Sequence, residues 1–207
     1  MIRRYFNTET RAAQTDGQPT EIAGIGAVVG VSTDLGYCEE EIDPGAFAEA
    51  DISDVLVCFN HDLDVILGRT AAGTAEVTID GKGNLVYTAN KLDLENPELQ
   101  APIRYVQRGE VNKSSFMFDI EAEMWSKSNI YGDFGKRTIM KIGKVYETGP
   151  VTLPAYNDTE AYSREKDSIM QSRTKWVEAN QTPNDHLIDD EAERDAYLRN
   201  YYELIIK

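Results

Sequence analysis

The 207-residue chain contains two histidines, His61 and His186, and any chemistry that needs an imidazole must use one of them. His186 lies in a charged C-terminal stretch, so an imidazole site in the folded core falls to His61. His61 follows the apolar run Val55-Leu56-Val57-Cys58-Phe59 and stands between Asn60 and Asp62, a pattern that puts the ring at a sheet rim, where sites collect. A hydroxyl is offered by Ser114-Ser115, at the start of a segment in which Phe116, Phe118, Ile120, Ala122 and Met124 alternate with other residues. Alternation turns the phenylalanines to the core and Ser114 with them, and it projects Ser115 from the opposite face. A serine hydroxyl is nucleophilic at neutral pH only with a base in hydrogen-bond reach. A third group must fix that base's tautomer, and Glu147 is one candidate among 36 Asp and Glu residues. Cys58 is close to His61 in sequence, but residues three apart on a strand point to opposite faces, which makes the thiol an awkward partner.

These residues need a sheet to bring them together. Residues 1–20 are polar and read as a flexible N-terminal arm, and Ile22 to Val29 reads as a buried, glycine-punctuated strand. Asp43-Pro44 predicts a short helix ending near Ala50, with Asp43 as N-cap and Pro44 at N1. Val55 to Phe59 is strand-like, and residues 74–80 and 85–91 form a hairpin about Gly81 to Asn84. Leu99, Ile103 and Val106 recur at helical spacing between Pro97 and Gly109, with Gly109 as the stop. The long half-buried strand from Ser115, a polar loop over 129–136, a strand over 137–146 and Val151 to Tyr156 complete the β-rich part. Beyond Asp158 charge dominates; 180–184 reads as a turn and 189–206 as a helix. The chain thus divides into an arm (1–20), a globular domain (21–158) and a charged, partly helical extension (159–207). With about seven strands and two short helices, the fold class is α+β, dominated by antiparallel sheet and most naturally closed as a barrel.

Composition excludes more than it names. A net charge of −15 argues against a nucleic-acid surface, which needs clustered Lys and Arg. No apolar run approaches the roughly 20 residues of a membrane span, and the N-terminus lacks a secretory apolar region, so a soluble, unexported protein is expected. The two cysteines, Cys38 and Cys58, are too few for a disulfide framework and are expected to be reduced and buried. Without CxxC, HExxH or Cys/His spacing, neither a metal nor a cofactor is expected.

Pro44-Gly45-Ala46-Phe47, then Phe59-Asn60-His61-Asp62 and Leu67-Gly68-Arg69-Thr70, resemble the opening signature of the tailed-phage prohead proteases. Val106-Gln107-Arg108-Gly109-Glu110-Val111 with Ser114-Ser115-Phe116-Met117-Phe118 resembles the family's helix and serine strand, and Glu147 to Tyr156 its closing segment. The order holds over residues 21 to 160. Departures are Ser114, where the family has a small residue or methionine, and Met117, where it has glycine. The family is similar to the herpesvirus assemblins, so the resemblance implies a seven-stranded β-barrel wrapped by helices, with Ser115 as nucleophile and His61 as base. It points to Glu147 as third member and to Arg137 as an oxyanion donor. It further implies peptide-bond cleavage of scaffold or of the major capsid protein's scaffold-like arm, inside a procapsid in the host cytoplasm, and cleavage of the protease's own ends. Self-association stays open. The competing readings are a non-catalytic capsid scaffold that keeps the fold and a metal-dependent hydrolase.

Overall fold

The computed structural model describes residues 2–6, 10–15, 18–152 and 160–180. Among these, eleven strands and two helices follow in the order β1 (Ile2–Phe6), β2 (Thr10–Thr15), β3 (Gln18–Ala27), β4 (Thr33–Asp34), β5 (Glu39–Ile42), β6 (Leu56–Phe59), β7 (Asp62–Arg69), β8 (Ala75–Ile79), β9 (Leu85–Ala89), α1 (Pro97–Gln107), β10 (Lys113–Ser128), β11 (Gly132–Val151) and α2 (Glu160–Asn180). The expected α+β, mainly β class holds. The first residues, expected to be a loose arm, instead contribute β1, β2 and the start of β3. The turn over 180–184, the helix over 189–206 and His186 lie outside the described residues.

A long antiparallel ribbon, β10 against β11, forms the spine. Period-2 alternation sends Phe116 and Phe118 inward, where their rings stack with centroids 4.2 Å apart. On one side β1 pairs with β10; on the other, β5 and β6 lie one after the other along β11, both parallel to it. These two pairings are parallel, in a fold otherwise dominated by antiparallel sheet as expected. The stretch between β5 and β6 also bonds to β11, so the chain runs beside β11 as one interrupted strand: Asp51 N–H donates to Gly143 O at 2.7 Å and Val145 N–H to Asp51 O at 3.1 Å. The same contact explains why Asp43 to Ala50 is a run of turns rather than the expected helix. The Ala46 carbonyl accepts from Ile142 N–H of β11, and Ala50 N–H turns to Phe47 O instead.

The second sheet runs β2-β3-β9-β8 and is antiparallel throughout. Asp80 shapes the β8–β9 hairpin by accepting from Lys82 and Asn84 main-chain N–H groups. The main core lies between the sheets, with Phe116, Phe118, Ile139 and Ile142 meeting Ile22, Leu85 and Tyr87. Leu99, Ile103 and Val106 of α1 add its apolar stripe; each such side chain contributes about 1.5–3 kcal/mol on full burial. α1 starts at Asn96, whose side chain accepts from Glu98 N–H, and it ends before Gly109 at φ +72°. Among the described residues, strand pairing follows two open sheets and does not run into a closed ring.

A second apolar cluster joins Cys38, Trp125 and Ile169 of α2, with Phe134 and Trp176 packed against it. Part of the stretch expected as an extension is therefore docked on the domain. Beside it runs a buried chain of alternating charge. Arg4 bonds Glu40, with Nη2 to Oε2 at 2.7 Å; Arg137 Nη1 reaches Glu40 Oε2 at 3.1 Å and its Nε donates to Glu123 Oε2 at 2.8 Å; Ser172 of α2 donates to Glu123. Burial pushes the Glu40 carboxyl up, but the Arg4 and Arg137 guanidiniums outweigh it and hold the group below the ordinary range. Glu123 follows the same logic, with burial opposed by Arg137 and the Ser172 hydroxyl.

Both folded values thus lie below the unfolded value of about 4.3. The stability these groups contribute is complete above that pH and is lost as pH falls through the folded values. Both tryptophans of the chain, Trp125 and Trp176, sit in this cluster. Acid titration followed by intrinsic fluorescence should therefore show the cluster opening only below about pH 4. A transition centred well above that pH would mean the chain of charge is not what fails.

Candidate active site

His61 occupies the second position of a two-residue turn between β6 and β7, since Phe59 pairs with Asp62. Asn60 and His61 have φ of +55° and +60°. Positive φ at both central positions marks the type I′ hairpin, in which the second position favours glycine. A non-glycine residue there costs on the order of 1 kcal/mol, and strain of this kind concentrates at functional sites. The imidazole points back at β11, where Nδ1 lies 2.5 Å from Glu147 Oε2, and both side chains are buried, at 5% and 2% exposure.

Register places the serine beside this couple. Ser115 pairs with Gly149 and Met117 with Glu147 across the β10–β11 ladder. Opposed residues share a face, so Ser115 and Glu147 are diagonal neighbours on one face, with Cα atoms about 7–8 Å apart. The His61 turn is tied to β11 just beyond, where Asn60 N–H donates to Pro150 O at 2.9 Å. The turn is thus tied to β11 by its main chain at Pro150 and by its ring at Glu147, and Gly149, the residue that pairs with Ser115, lies between these two points along the strand. Gly149 has to lack a side chain, because a Cβ there would lie 2.0 Å from the Cys58 carbonyl oxygen.

The paired serines divide as alternation requires. Ser114 faces the core, its Oγ 2.9 Å from Thr10 Oγ1 and 3.0 Å from Tyr87 Oη. Ser115 lies on the other face, fully buried, and donates its hydroxyl proton to the Arg4 carbonyl of β1 at 2.7 Å. The Thr148 hydroxyl donates to the Ser115 carbonyl at 3.0 Å and fixes the main chain from beneath.

Cys58 is buried close by. Burial, then the nearby Glu147 and Asp62 carboxylates, push its thiol up to about 12, so it stays protonated at neutral pH and is a poor nucleophile. Arg137 is not brought to the serine. It stands at the far end of the ribbon, paired with Trp125, and its guanidinium is shared between Glu40 and Glu123. Among the described residues, no three His, Cys, Asp or Glu side chains are grouped to hold a metal ion. Sequence reasoning missed Arg4 and the Asn60 turn. The first sits in a segment too polar to read as a strand. The second was legible as a two-residue turn signal in Phe59-Asn60-His61-Asp62.

The mainly β domain thus carries a buried imidazole–carboxylate couple, with Glu147 on the face of the ribbon that also bears Ser115. The family model described as caudovirus prohead serine protease matches residues 6–173, and the chain belongs to that family. At family level it is a phage capsid-maturation protease. No curated protein and no solved structure matches the chain. Among the described residues, no helix is long and apolar enough to cross a membrane.

Proposed function

We propose that the chain is a serine endopeptidase in which Ser115 is the nucleophile, His61 the general base and Glu147 the group that orients the base and stabilises the imidazolium formed when it takes the proton. The observation that carries this reading is the buried His61–Glu147 couple, set on the face of the ribbon from which Ser115 projects. Glu147 on Nδ1 leaves the Nε2 side of the ring to accept the hydroxyl proton. Ser115 Oγ then bonds to the peptide carbonyl carbon, and His61 returns the proton to the departing amine as the C–N bond breaks. Water hydrolyses the acyl-enzyme by the same route. The substrates are capsid-assembly proteins inside the procapsid: scaffold, the scaffold-like arm of the major capsid protein, and the protease's own ends. An assemblin-like curl of the larger sheet belongs to the same reading. It is supported by the Arg4–Glu40 pair, which joins β1 to β5 although two strands lie between them in the sheet.

One observation favours the rival reading of a non-catalytic assembly protein. The Ser115 hydroxyl is buried and has a single proton, which it gives to Arg4 O. Catalysis requires that the hydroxyl turn from β1 to His61. Incubation with a fluorophosphonate probe, with and without chelator, separates the readings. Labelling that survives chelation and is absent from Ser115→Ala is expected. A wild-type protein that stays unlabelled, alone and within assembling procapsids, favours the scaffold, and chelator-sensitive turnover favours a metal hydrolase.

A further inference from the structure

We infer that Asn60 is the positioning residue of the base: its side-chain amide locks the His61 turn onto β11 through Thr152, and this lock holds the imidazole in register with Ser115. The inference rests on the reading of His61 as the base and adds a residue to that site.

Among the described residues, Asn60 makes three hydrogen bonds to the end of β11 and the residue just past it. Its N–H donates to Pro150 O at 2.9 Å, its Oδ1 accepts from Thr152 N–H at 2.7 Å, and its Nδ2 donates to Thr152 Oγ1 at 3.0 Å. These bonds lie where regular pairing has stopped. β6 and β11 pair only at Leu56–Glu147 and Val57–Thr148. Without the amide, the main chain of the turn would keep the Pro150 bond but lose both side-chain bonds to Thr152 just past the end of β11. With it, His61 is fixed to one strand from two sides. Its main chain is held through Asn60 at 150–152, and its ring is held at Glu147. Gly149, opposite Ser115, lies between these anchor points.

Asparagine also suits the backbone. It tolerates positive φ better than most residues, and here that conformation is needed at two consecutive positions. Asn60 and Thr152 are both exposed, so their pairing contributes little to the core, and its loss should leave the fold standing. What it should change is geometry, where a displacement of about 1 Å can cost on the order of 100-fold in rate.

Two measurements test this on the full chain. The first is the rate of fluorophosphonate labelling at Ser115, resolved into probe affinity and maximal rate. The second is the far-downfield proton resonance expected from the buried His61 Nδ1–H on Glu147. Asn60→Ala should slow maximal labelling about 10- to 100-fold with probe affinity unchanged, and it should broaden or abolish the resonance. Asn60→Asp keeps the acceptor for Thr152 N–H and should recover most of both. Thr152→Val should reproduce a fraction of the loss, and the pair Asn60→Ala/Thr152→Val should be no worse than Asn60→Ala alone. Should Asn60→Ala fail to fold, Thr152→Val carries the test. Wild-type labelling and an undisturbed resonance in both single variants would overturn the inference while leaving the protease reading intact. If wild type itself does not label, the protease reading fails, and the resonance alone decides whether Asn60 positions the His61–Glu147 couple.

Discussion

Ser115→Ala, His61→Ala and the double variant should all show the same residual turnover, about 10⁴-fold or more below wild type. Cleavage of co-expressed capsid protein, followed on gels, is the measurement. The equality follows from the proton path. A hydroxyl without its base and a base without its hydroxyl are equally unable to form the acyl-enzyme, so removing the second partner removes nothing further. Losses that multiply would mean the two side chains do not act as a unit. Glu147→Gln belongs to the same experiment. The substitution is isosteric, but an amide no longer enforces the Nδ1–H tautomer or stabilises the imidazolium, and losses on the order of 10⁴-fold accompany such a change in serine proteases. Because Glu147 and Met117 face each other across the ladder, Met117→Leu serves as the packing control and should leave turnover within a few-fold of wild type.

Much of this site was legible in the sequence because its geometry is carried by alternation. The Phe116–Phe118 period decides which of Ser114 and Ser115 enters the core, and the structure divides them as that period requires. The β8–β9 hairpin and α1 were legible for similar reasons, since turn residues and helical spacing are local signals. Contacts remote in sequence were not. Nothing about Asp43 to Ala50 reveals that the Ala46 carbonyl will be taken by Ile142 N–H, so a good helix start becomes a series of turns. Residues 10–15 have too little apolar character to read as a strand, yet they pair with β3 because β3 leaves that edge open. Glu147 could not be told from the other carboxylates by composition. It is singled out by the ladder that pairs it with Met117, diagonal to Ser115, and by a turn with two positive φ values whose His61 ring meets it.

Arg137→Met is expected to destabilise the fold by about 3–5 kcal/mol and to leave turnover per folded molecule unchanged. Arg137 is 3% exposed and lies between the buried Glu40 carboxylate and the partly buried Glu123 carboxylate. Its removal leaves Glu40 with Arg4 alone and, among the described residues, takes from Glu123 its cationic partner, so a largely buried negative charge goes uncompensated. Pairing the change with Glu123→Gln tests that cause directly. The double variant keeps the Arg4–Glu40 pair and restores neutrality, so it should be more stable than Arg137→Met alone, and a thermal-melt cycle reads the difference. The oxyanion role implied by family resemblance makes the opposite forecast: stability nearly intact, and turnover down about 10²–10³-fold. The two outcomes fall on different axes, so one variant decides whether this arginine serves the reacting carbonyl or the chain of charge that fastens β1 and α2 to the sheet.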